Sequence, residues 1–414
     1  MMARAFLLAL MVISLSSCRG GGFFAPPEIA LPESFREGAV TESKAKWKEI
    51  KPEDEDAAGD SWWKIFDDEV LNGLESKAAE GNPSLQAAAA RVEQARALAR
   101  LNAPDILPNL TLGGNATRQA APTKPIANTF DVKGRLVYEA DLFNRVKQES
   151  TALEYEADAT DYLYHAVRLS LEADVAARYF SIRALDNERH LLRDLVAAQK
   201  ESVRIMQSRF TAGDAPELDL KQAQGELAGT EAELASLDRR RQAEVHALAV
   251  LLGEMPSAFS WEEAEWKDRK VPKIPAGLPS GLLARRPDIA AAMNNMAAAN
   301  ARIGAAKAAY LPDLTLTAEG GFQSSQMKNL FTWSSRQWVL GQVAGLALSL
   351  PLFDNGRRSA RLDAMRASYD AAVAQYRETV LAAFRDVEDS LSAQNLLAAQ
   401  ETSAFDAADA ARRA

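Results

Sequence analysis

The chain has 414 residues, a hydrophobic content of 47% and a formal net charge of −9 at pH 7. This length is sufficient for two or three ordinary domains. The negative charge argues against a nucleic-acid partner, because the sequence supplies no basic face to neutralise phosphates. Aromatic residues make up only 7% of the chain and alanine is abundant, a bias that favours helix.

The first residues have the pattern of a bacterial secretory signal. A short region with Arg4 precedes an apolar core at residues 5–13 and then the chain's single cysteine, Cys18. The ending resembles a lipobox, in which the signal at residues 1–17 is removed and the cysteine becomes acylated. Arg19 follows the cysteine, at the position where an Asp would suggest retention in the inner membrane. The resemblance therefore points to the outer membrane. A plain signal peptide with an incidental cysteine is the alternative.

Residues 18–60 carry clustered glycines, paired prolines and an acidic run, without a repeating apolar pattern. A segment with so few core-forming residues cannot bury much apolar surface, so we predict an extended, lipidated tether. Ordered structure is expected from residue 61, where Trp62 and Trp63 are adjacent. We interpret this pair as a packing anchor rather than as a binding feature.

A repeated motif organises the rest of the chain. The sequence LPNLTL at residues 107–112 returns as LPDLTL at residues 311–316. Each copy follows an alanine-rich helical segment that opens with Pro83 or Pro287, and precedes two strands and a very long helix. A repeat of this length indicates tandem duplication. The predicted divisions are repeat 1 at 61–253, a connector at 254–281 and repeat 2 at 282–414.

Each repeat contains two segments of about ten residues in which apolar side chains alternate with polar or small ones. In the clearest segment Val132 and Leu136 lie on one face, and Lys133 and Arg135 lie on the other. The last segment covers residues 338–350. Alternation of this kind behind a secretion signal is typical of an outer-membrane barrel. A soluble antiparallel sheet with one hydrated face is the alternative.

Four strands cannot close a barrel on their own. In hydrocarbon every backbone N–H and C=O group needs a partner, so an open sheet edge is excluded. Known single-chain barrels begin at about eight strands. If these strands span a membrane, several chains must each contribute a share to one common barrel, and oligomerisation becomes obligatory.

Residues 144–210 contain neither proline nor glycine. Small and apolar residues between Ala152 and Phe180 step by threes and fours, which is the pattern of a sustained helical seam. A break follows at Gly213, which suits a positive φ, and a return helix ends near Gly253. We predict a long antiparallel hairpin with close helix packing. Taken alone, this hairpin fits a coiled-coil scaffold equally well.

Five short motifs, spread over almost the whole mature chain, resemble those of one family. They are Trp62-Trp-x-x-Phe66, Ala90-Arg-Val-x-Gln-Ala-Arg96, Tyr138-Glu-Ala-Asp-Leu-Phe143 followed by Arg145, Arg285-Arg-Pro-Asp-Ile289, and Ala299-Asn-Ala-Arg-Ile-Gly304. At these residues the chain resembles the outer-membrane efflux protein family, the TolC-like channels and particularly the NodT-type lipoproteins of tripartite pumps. Met293 departs from the family pattern, which often has Glu at that position.

The resemblance implies a mainly α fold with a membrane β-barrel portion, built from a tandem repeat of long antiparallel helical hairpins with two strands per repeat. Four strands per chain would contribute to a shared barrel of twelve strands in a homotrimer. The barrel would lie in outer-membrane lipid, with a helical tunnel in the periplasm. The tunnel would meet a periplasmic adaptor (a membrane fusion protein) and, through it, a proton-driven inner-membrane pump of the RND type.

The implied function is passive conduction of small molecules, such as drugs and toxic organic compounds, from the periplasm to the exterior. Within the family, metal efflux or type I protein secretion is the alternative. From a different class, the alternative is a periplasmic lipoprotein scaffold that uses its hairpins as coiled coils without a pore.

The resemblance also implies roles for individual residues. The adaptor-docking turn is assigned to Arg209, Thr211, Ala212, Gly213 and Asp214. The pore-constriction candidates are Asp214 and Asp219, although both also fit plain turn and helix-start carboxylates. The barrel lumen is assigned to Lys133, Arg135, Glu139 and Asp141. The lipid-attachment residue is Cys18.

Repeat 2 departs from the family in one respect. The spacing between the two Leu-Phe pairs, at residues 142–143 and 352–353, places the second hairpin turn beyond Ala414. We therefore expect this chain to lack the return helix of repeat 2. It is either a fragment of a longer product or a truncated product that cannot close its pore, and we expect the latter to be defective in assembly.

The sequence offers little support for an enzyme. The three histidines, His165, His190 and His246, each fall within a long helix without a second ligand at metal spacing. We identify no nucleophile–base constellation, phosphate-binding loop or paired carboxylates in a pocket. We therefore expect no catalysis, no cofactor and no metal.

Overall fold

The computed structural model describes residues 35–36, 47–49, 59–102, 107–121, 124–263, 271–273, 281, 285–339 and 346–413. The predicted signal, Cys18 and most of the predicted tether lie outside the described residues. The middle of the last predicted strand, at residues 340–345, also lies outside them.

Long helices dominate the described part of the chain. They are α1 (Glu69–Gly81), α2 (Pro83–Asn102), α3 (Arg145–Thr211), α4 (Glu217–Leu251), α5 (Pro287–Ala308) and α6 (Arg357–Arg413). Short 3-10 helices occupy Gly59–Phe66, Met327–Asn329 and Trp333–Ser335. The predicted helix starts at Pro83 and Pro287 are confirmed, as is the long helix predicted at residues 144–210. Among the described helices, none combines the length and apolar character needed to cross a membrane.

The strands form two sheets. They are β1 (Trp47–Glu49), β2 (Asn109–Ala121), β3 (Lys124–Ala140), β4 (Val271–Lys273), β5 (Asp313–Ser324), β6 (Arg336–Val339) and β7 (Leu346–Ser349). Strands β1 and β4 pair in parallel. The others form an antiparallel sheet in the order β2-β3-β5-β6, in which β7 also pairs with β5. The two described ends of the predicted strand at 338–350 thus share one neighbour.

The chain divides into two compact units. Unit 1 contains Arg91–Tyr162 and Leu283–Ala383, and unit 2 contains Pro32–Ala90, Leu163–Leu282 and Phe384–Ala414. Each unit therefore draws segments from both predicted repeats. The residue boundaries of the repeats stay a prediction.

In unit 1, α3 and α5 pack through very small side chains. Ala152 of α3 forms a buried cluster with Ala298 and Ala301 of α5. At Gly304 an added Cβ would lie 3.0 Å from the side chain of Gln148, which shows how close the two helices come. The abundance of alanine noted in the sequence therefore provides close helix packing here rather than only helix propensity.

Unit 2 contains an apolar core formed by three helices. Leu71 and Leu74 of α1 pack against Val175 and Ile182 of α3 and against Leu248 of α4. Burial of this apolar surface stabilises the three helices together. Trp63 belongs to the same cluster and Trp62 packs against it, so the prediction of a tryptophan packing anchor is confirmed.

The predicted seam along α3 is wrong at Leu169 and Ala173, which are exposed, whereas Ala176, the next seam residue, is buried. Ala152 and Ala159 are buried as expected, but the exposed fraction of Leu169 is 44%. The buried side of α3 in unit 2 instead carries Leu171, Val175, Tyr179 and Ile182. The reason is that different elements line the helix along its length, α5 near Ala152 and then α1 and α4 near Val175, so no single seven-residue pattern describes it.

The junction between α1 and α2 is fastened to the end of α4. The Asn82 side chain accepts hydrogen bonds from the backbone N–H groups of Ser84 (2.9 Å) and Leu85 (3.0 Å), which caps α2. Its amide also donates to the carbonyl of Leu251 (2.8 Å), one of the terminal carbonyls of α4. One side chain thus satisfies backbone groups at two helix ends.

Gly253 fits this junction because it has no side chain. Its φ is +75°, and an added Cβ would lie 2.2 Å from the carbonyl oxygen of Gly81. By contrast, an added Cβ at Gly229, inside α4, would meet no atom within 4 Å. Gly253 therefore occupies a position that only glycine fits without strain, whereas Gly229 occupies an ordinary helical position.

We expect Gly253→Ala to lower the thermal midpoint of unfolding, because it adds a positive-φ cost of about 1–2 kcal/mol and a backbone clash. Gly229→Ala is the matched control. It should leave the midpoint unchanged or raise it, because alanine inside a helix is more stable than glycine by up to about 1 kcal/mol. Circular dichroism at 222 nm during heating measures both. Equal midpoints for the two variants would contradict the close approach of Gly253 to Gly81.

Candidate functional site

The antiparallel sheet of unit 1 has an apolar face. Leu110 lies opposite Leu136, and Leu314 lies opposite Leu348. Directly opposed residues point to the same side of a sheet, so these leucines share one face. The exposed fractions of Leu110 and Leu348 are 73% and 68%. A broad exposed apolar face on antiparallel strands is the surface that a lipid-facing sheet presents.

The opposite face is charged. Arg135 lies opposite Glu319, with 3.5 Å between its Nε and the Oε1 of that carboxylate. Lys133 lies opposite Gly321 on the same face. Asp131, Lys133, Arg135 and Glu319 line an open cavity of about 250 Å³. The sheet therefore places two cations and two carboxylates on the side away from the apolar face.

Both outer edges of this sheet lack a strand partner within the described part of the chain. Strand β2 pairs with β3, and β6 and β7 pair with β5. Each edge presents backbone N–H and C=O groups that a further strand could satisfy. These open edges agree with the expectation from the sequence that four strands do not close a barrel and that further strands must complete it.

Glu139 and Asp141, which the sequence groups with Lys133 and Arg135, lie where β3 meets α3. Arg145 donates a 2.6 Å hydrogen bond to Glu139, and Asp141 accepts one of 2.8 Å from the backbone N–H of Lys147. Partial burial alone would lower the pKa of Arg145, but its hydrogen bond to Glu139 and nearby carboxylates raise it above its ordinary value. The structure thus brings Lys133 and Arg135 together, keeps Glu139 on the same face near the end of β3, and places Asp141 beside the start of α3.

Arg145 also links the two repeats, which sequence reasoning did not identify. Its Nε lies 4.0 Å from Asp313, the first residue of β5. Asn144, immediately before Arg145, has a φ of 60°, so the chain turns sharply between strand and helix. The sequence held one indication of a charged contact here. The second copy of the repeated motif has the carboxylate Asp313 where the first copy has the uncharged Asn109.

The predicted docking turn joins α3 to α4. Gly213 has a φ of +80°. Its N–H donates to the carbonyl of Phe210, and the N–H of Asp214 donates to the carbonyl of Arg209. This is the Schellman arrangement that ends helices at a left-handed residue. Thr211, Ala212 and Asp214 are exposed, so the turn is ordered by its backbone and open at its surface.

Asp219 lies in the first turn of α4 together with Glu217. A carboxylate at that position interacts favourably with the helix dipole. The geometry therefore agrees with the reading of Asp219 as a helix-start carboxylate, and leaves its role in a constriction a prediction.

Unit 2 contains a buried polar network that the sequence did not suggest. Tyr179 donates a hydrogen bond to Asp68, which caps the first turn of α1. Arg183 stacks over the ring of Trp261 at 4.9 Å, and the indole of Trp261 donates to Asp186 at 2.9 Å. The network ties α1, α3 and the segment after α4 together, which assigns these residues to structure rather than to chemistry.

Glu75 is a second buried polar residue in unit 2. It lies on the apolar side of α1 and is only 1% exposed, and neither carboxyl oxygen has a hydrogen-bond partner among the described residues. Burial, and then the negative charge of Glu172, raise the pKa of Glu75 to about 8. Its carboxyl group is therefore mainly protonated at pH 7. A sequence signal existed, because Glu75 lies between Leu71 and Ala78 at helical spacing.

The described residues hold no group of three or more His, Cys, Asp or Glu side chains arranged for a metal ion. His190 faces Asp194 across one helical turn, with 3.7 Å between His190 Nε2 and the carboxylate. His246 faces Gln242 in the same way. These positions are those of helix-surface residues.

Residues 74–254 and 278–414 match the family model described as outer membrane efflux protein. The chain belongs to this family. The resemblance inferred from the motifs is therefore confirmed, as are the mainly helical TolC-like fold and the outer-membrane location.

Individual relatives agree with the family assignment. The chain is 31% identical to the outer membrane protein OprJ of Pseudomonas aeruginosa, over 95% of this chain and 81% of that protein. It is 30% identical to the toluene efflux pump outer membrane protein TtgF of Pseudomonas putida, over 95% and 82% of the two chains. The solved structure of the outer-membrane channel OprN has a TM-score of 0.78 at 27% identity, over 90% of this chain and 82% of that one.

The expected role as an outer-membrane efflux channel is confirmed by these comparisons. The family consists of outer-membrane efflux channels, which are not enzymes. The four residues assigned to the lumen, the five assigned to docking and the two assigned to the constriction stay predictions.

We expect the stability of unit 2 to depend on pH through Glu75. Its pKa is about 8 when folded and 4.5 in the reference state, so the unfolded chain binds fewer protons between these values. The contribution of Glu75 to the free energy of unfolding therefore falls as the pH rises from 4.5 to about 8. Glu75→Gln removes this dependence, and its thermal midpoint should exceed that of the wild type most at pH 9 and least at pH 5.

Differential scanning fluorimetry between pH 5 and pH 9 measures this difference, for which we expect several degrees at the alkaline end, since about 1 kcal/mol corresponds to 2–4 °C in larger domains. Glu80→Gln, at an exposed position of the same helix, is the control and should follow the wild type. A midpoint difference between Glu75→Gln and wild type that is constant with pH would contradict a neutral buried Glu75.

Proposed function

We propose that the protein is the outer-membrane channel of a tripartite pump and passively conducts small organic molecules from the periplasm to the exterior. The observation that carries this proposal is the two-faced sheet of unit 1, apolar on one side and charged on the other. Within the described residues, the outermost strand at each edge is paired on one side only. Such a sheet fits a wall with lipid outside and water inside.

We infer a homotrimer from this sheet together with the family resemblance. Its edges need strand partners in hydrocarbon, and the described sheet supplies four positions across its width, since β6 and β7 follow one another along β5. Barrels begin at about eight strands, so one chain is too few. Three chains give the twelve strands that the family resemblance implies.

The substrate class is proposed from relatives. TtgF is named as a toluene efflux pump protein, and SrpC of Pseudomonas putida, 34% identical over 80% of this chain, is named as a solvent efflux pump protein. Small hydrophobic organic molecules are therefore the substrates that we propose for this channel. Substrate choice belongs mostly to the inner-membrane pump, which we propose to be of the RND type.

We propose that a periplasmic adaptor docks at the turn between α3 and α4. The turn combines the exposed residues Arg209, Thr211, Ala212, Gly213 and Asp214. Its backbone is fixed by the Schellman bonds, so it presents a preformed surface. Asp214 and Asp219 would form acidic rings at the tunnel end in a trimer, which supports their proposed role at the constriction. We further propose that Cys18 is the lipid-attachment residue.

The proposed lumen predicts an effect of charge on ion selectivity. Lys133→Glu should shift the permeability of the channel in planar bilayers from anions towards cations, and Lys133→Gln should give an intermediate shift, because the local field follows the net charge of the wall. Reversal potentials in a salt gradient measure the shift. Identical reversal potentials for wild type and both variants would exclude Lys133 from the conduit.

The proposed constriction predicts a different effect. The double variant Asp214→Asn/Asp219→Asn should raise conductance or weaken block by multivalent cations, since it removes two carboxylates per chain from the narrowest part. Glu217→Gln is the matched control, because Glu217 lies in the same exposed first turn of α4. Single-channel recording with a trivalent cation on the periplasmic side provides the readout. An equal response in Glu217→Gln would show that general surface charge, and not a constriction at Asp214 and Asp219, causes the effect.

A further inference from the structure

The sheet of unit 1 has one end that lies away from the helices. Strand β3 ends at Ala140, just before α3, and β5 begins at Asp313, just after α5. The connections from β2 to β3 and from β5 to β6 therefore lie at the opposite end. We propose that this far end binds the phosphate groups of lipid headgroups, with Arg118 and Arg336 as the cations. This inference rests on the proposed function, because the apolar face must lie in a bilayer.

The far end of the sheet is positively charged. Residues 106–130 contain Arg118 and Lys124, and residues 320–353 contain Lys328 and Arg336, whereas neither range contains Asp or Glu. The whole chain has a net charge of −9, so this local excess of four positive charges runs against the overall composition. Such a region attracts anionic groups, which the net charge of the chain does not reveal.

Both arginines lie on the apolar face of the sheet. Arg336 lies opposite Phe322, which in turn lies opposite Val132. Arg118 lies opposite Asn128. Asn128 and Val132 are separated by an even number of residues along β3, so they share one face. The two arginines are therefore on the side that the proposed channel turns towards lipid.

The position of Arg118 along the sheet fits the border of a bilayer. Its neighbour Asn128 and Tyr138 both lie on the apolar face of β3, 138 − 128 = 10 residues apart. Ten residues of strand extend about 33 Å. A strand tilt of about 35–45° reduces this length to a height of about 25 Å, which is the height of the apolar band of membrane barrels. A charged side chain costs least at that border.

Aromatic side chains surround Arg336. Its guanidinium group lies over the ring of Trp333, and its Nε donates a 2.8 Å hydrogen bond to the carbonyl of Trp333. Phe331 contacts Phe322 edge-on, with 5.7 Å between the ring centres. The exposed fractions of Phe331 and Trp333 are 68% and 77%. Amphipathic aromatic side chains are enriched where a membrane meets water.

The two arginines are available to an anion. Within the described part of the chain neither Arg118 nor Arg336 forms an ion pair, whereas Arg135 on the opposite face pairs with Glu319. Arg336 uses its Nε for the carbonyl of Trp333, which leaves its two terminal amino groups to donate. A phosphate accepts parallel hydrogen bonds of this kind from a guanidinium group.

The orientation of the arginines favours a lipid over a dissolved anion. A site for anions in transit would place its cations on the charged face, where Lys133 lies. Arg118 and Arg336 lie on the other face, and the exposed rings of Phe331 and Trp333 lie near Arg336. Apolar surface and cations together fit a ligand that has acyl chains and a phosphorylated headgroup.

Native mass spectrometry of the full-length chain, purified in a mild detergent, tests this site. The probe is diphosphoryl lipid A, and the same lipid without its phosphates is the comparison. We expect Arg118→Gln/Arg336→Gln to retain at least about fivefold less of the diphosphoryl lipid per chain than the wild type. The phosphate-free lipid should be retained equally by both.

Lys133→Gln/Arg135→Gln is the matched control. It removes the same charge from the opposite face of the same sheet, so it should retain the diphosphoryl lipid as the wild type does. A loss confined to the Arg118/Arg336 variant and to the phosphorylated lipid supports the site. An equal loss in both variants, no loss in either, or an equal loss of the phosphate-free lipid overturns it.

Two further measurements test other occupants of this surface. Displacement of the diphosphoryl lipid from the wild type by excess inorganic phosphate would overturn the proposal in favour of a site for dissolved anions. Failure of Arg118→Gln/Arg336→Gln to form the wild-type oligomer on a native gel would overturn it in favour of a contact between copies.

Conductance in phosphatidylcholine bilayers separates this inference from the proposed function. Arg118→Gln/Arg336→Gln should conduct as the wild type does, because both changes lie on the face away from the conduit. Normal channels combined with unchanged lipid retention would overturn the lipid site and leave the channel intact. If the wild type itself forms no channels, the proposed function is wrong and this inference fails with it.

Discussion

The constraint on which this structure depends is the hydrogen-bonding demand of strands in hydrocarbon. Strands β2 and β7 each end the described sheet with one side unpaired, and no water in a bilayer core could satisfy those groups. In the proposed channel these edges therefore require strand partners from further copies of the chain. The same constraint accounts for the two-faced pattern of β3, in which Leu136 would face lipid and the neighbouring Arg135 would face water.

The helical parts follow a different rule, in which small residues allow close approach. Ala152 meets Ala298 in unit 1, and Gly253 lies against the backbone of Gly81 in unit 2. At Gly253 this packing leaves no room for a side chain, since an added Cβ would meet the backbone of Gly81. Small residues thus let helices and turns come close together where no large side chain lies between them.

Patterns that depend on local spacing were predictable from the sequence. The helix start at Pro83, the turn at Gly213 and the alternation along β3 each follow from residues within a few positions of one another. Features set by distant neighbours were not. The buried side of α3 near Val175 depends on α1 and α4, and the burial of Glu75 depends on the same packing. A helical pattern records which residues share a face but not which partner covers that face.

The ion pair between Arg135 and Glu319 has a consequence for the interior of the assembled wall. It sits where β3 meets β5 within a chain. The residues that correspond to Arg135 and Glu319 in the other repeat are Ala347 and Asn115, which carry no charge. The two repeats therefore share their strand pattern but differ in charge on this face. Duplication has kept the backbone arrangement of the sheet, and later substitution has made its two halves electrostatically unequal.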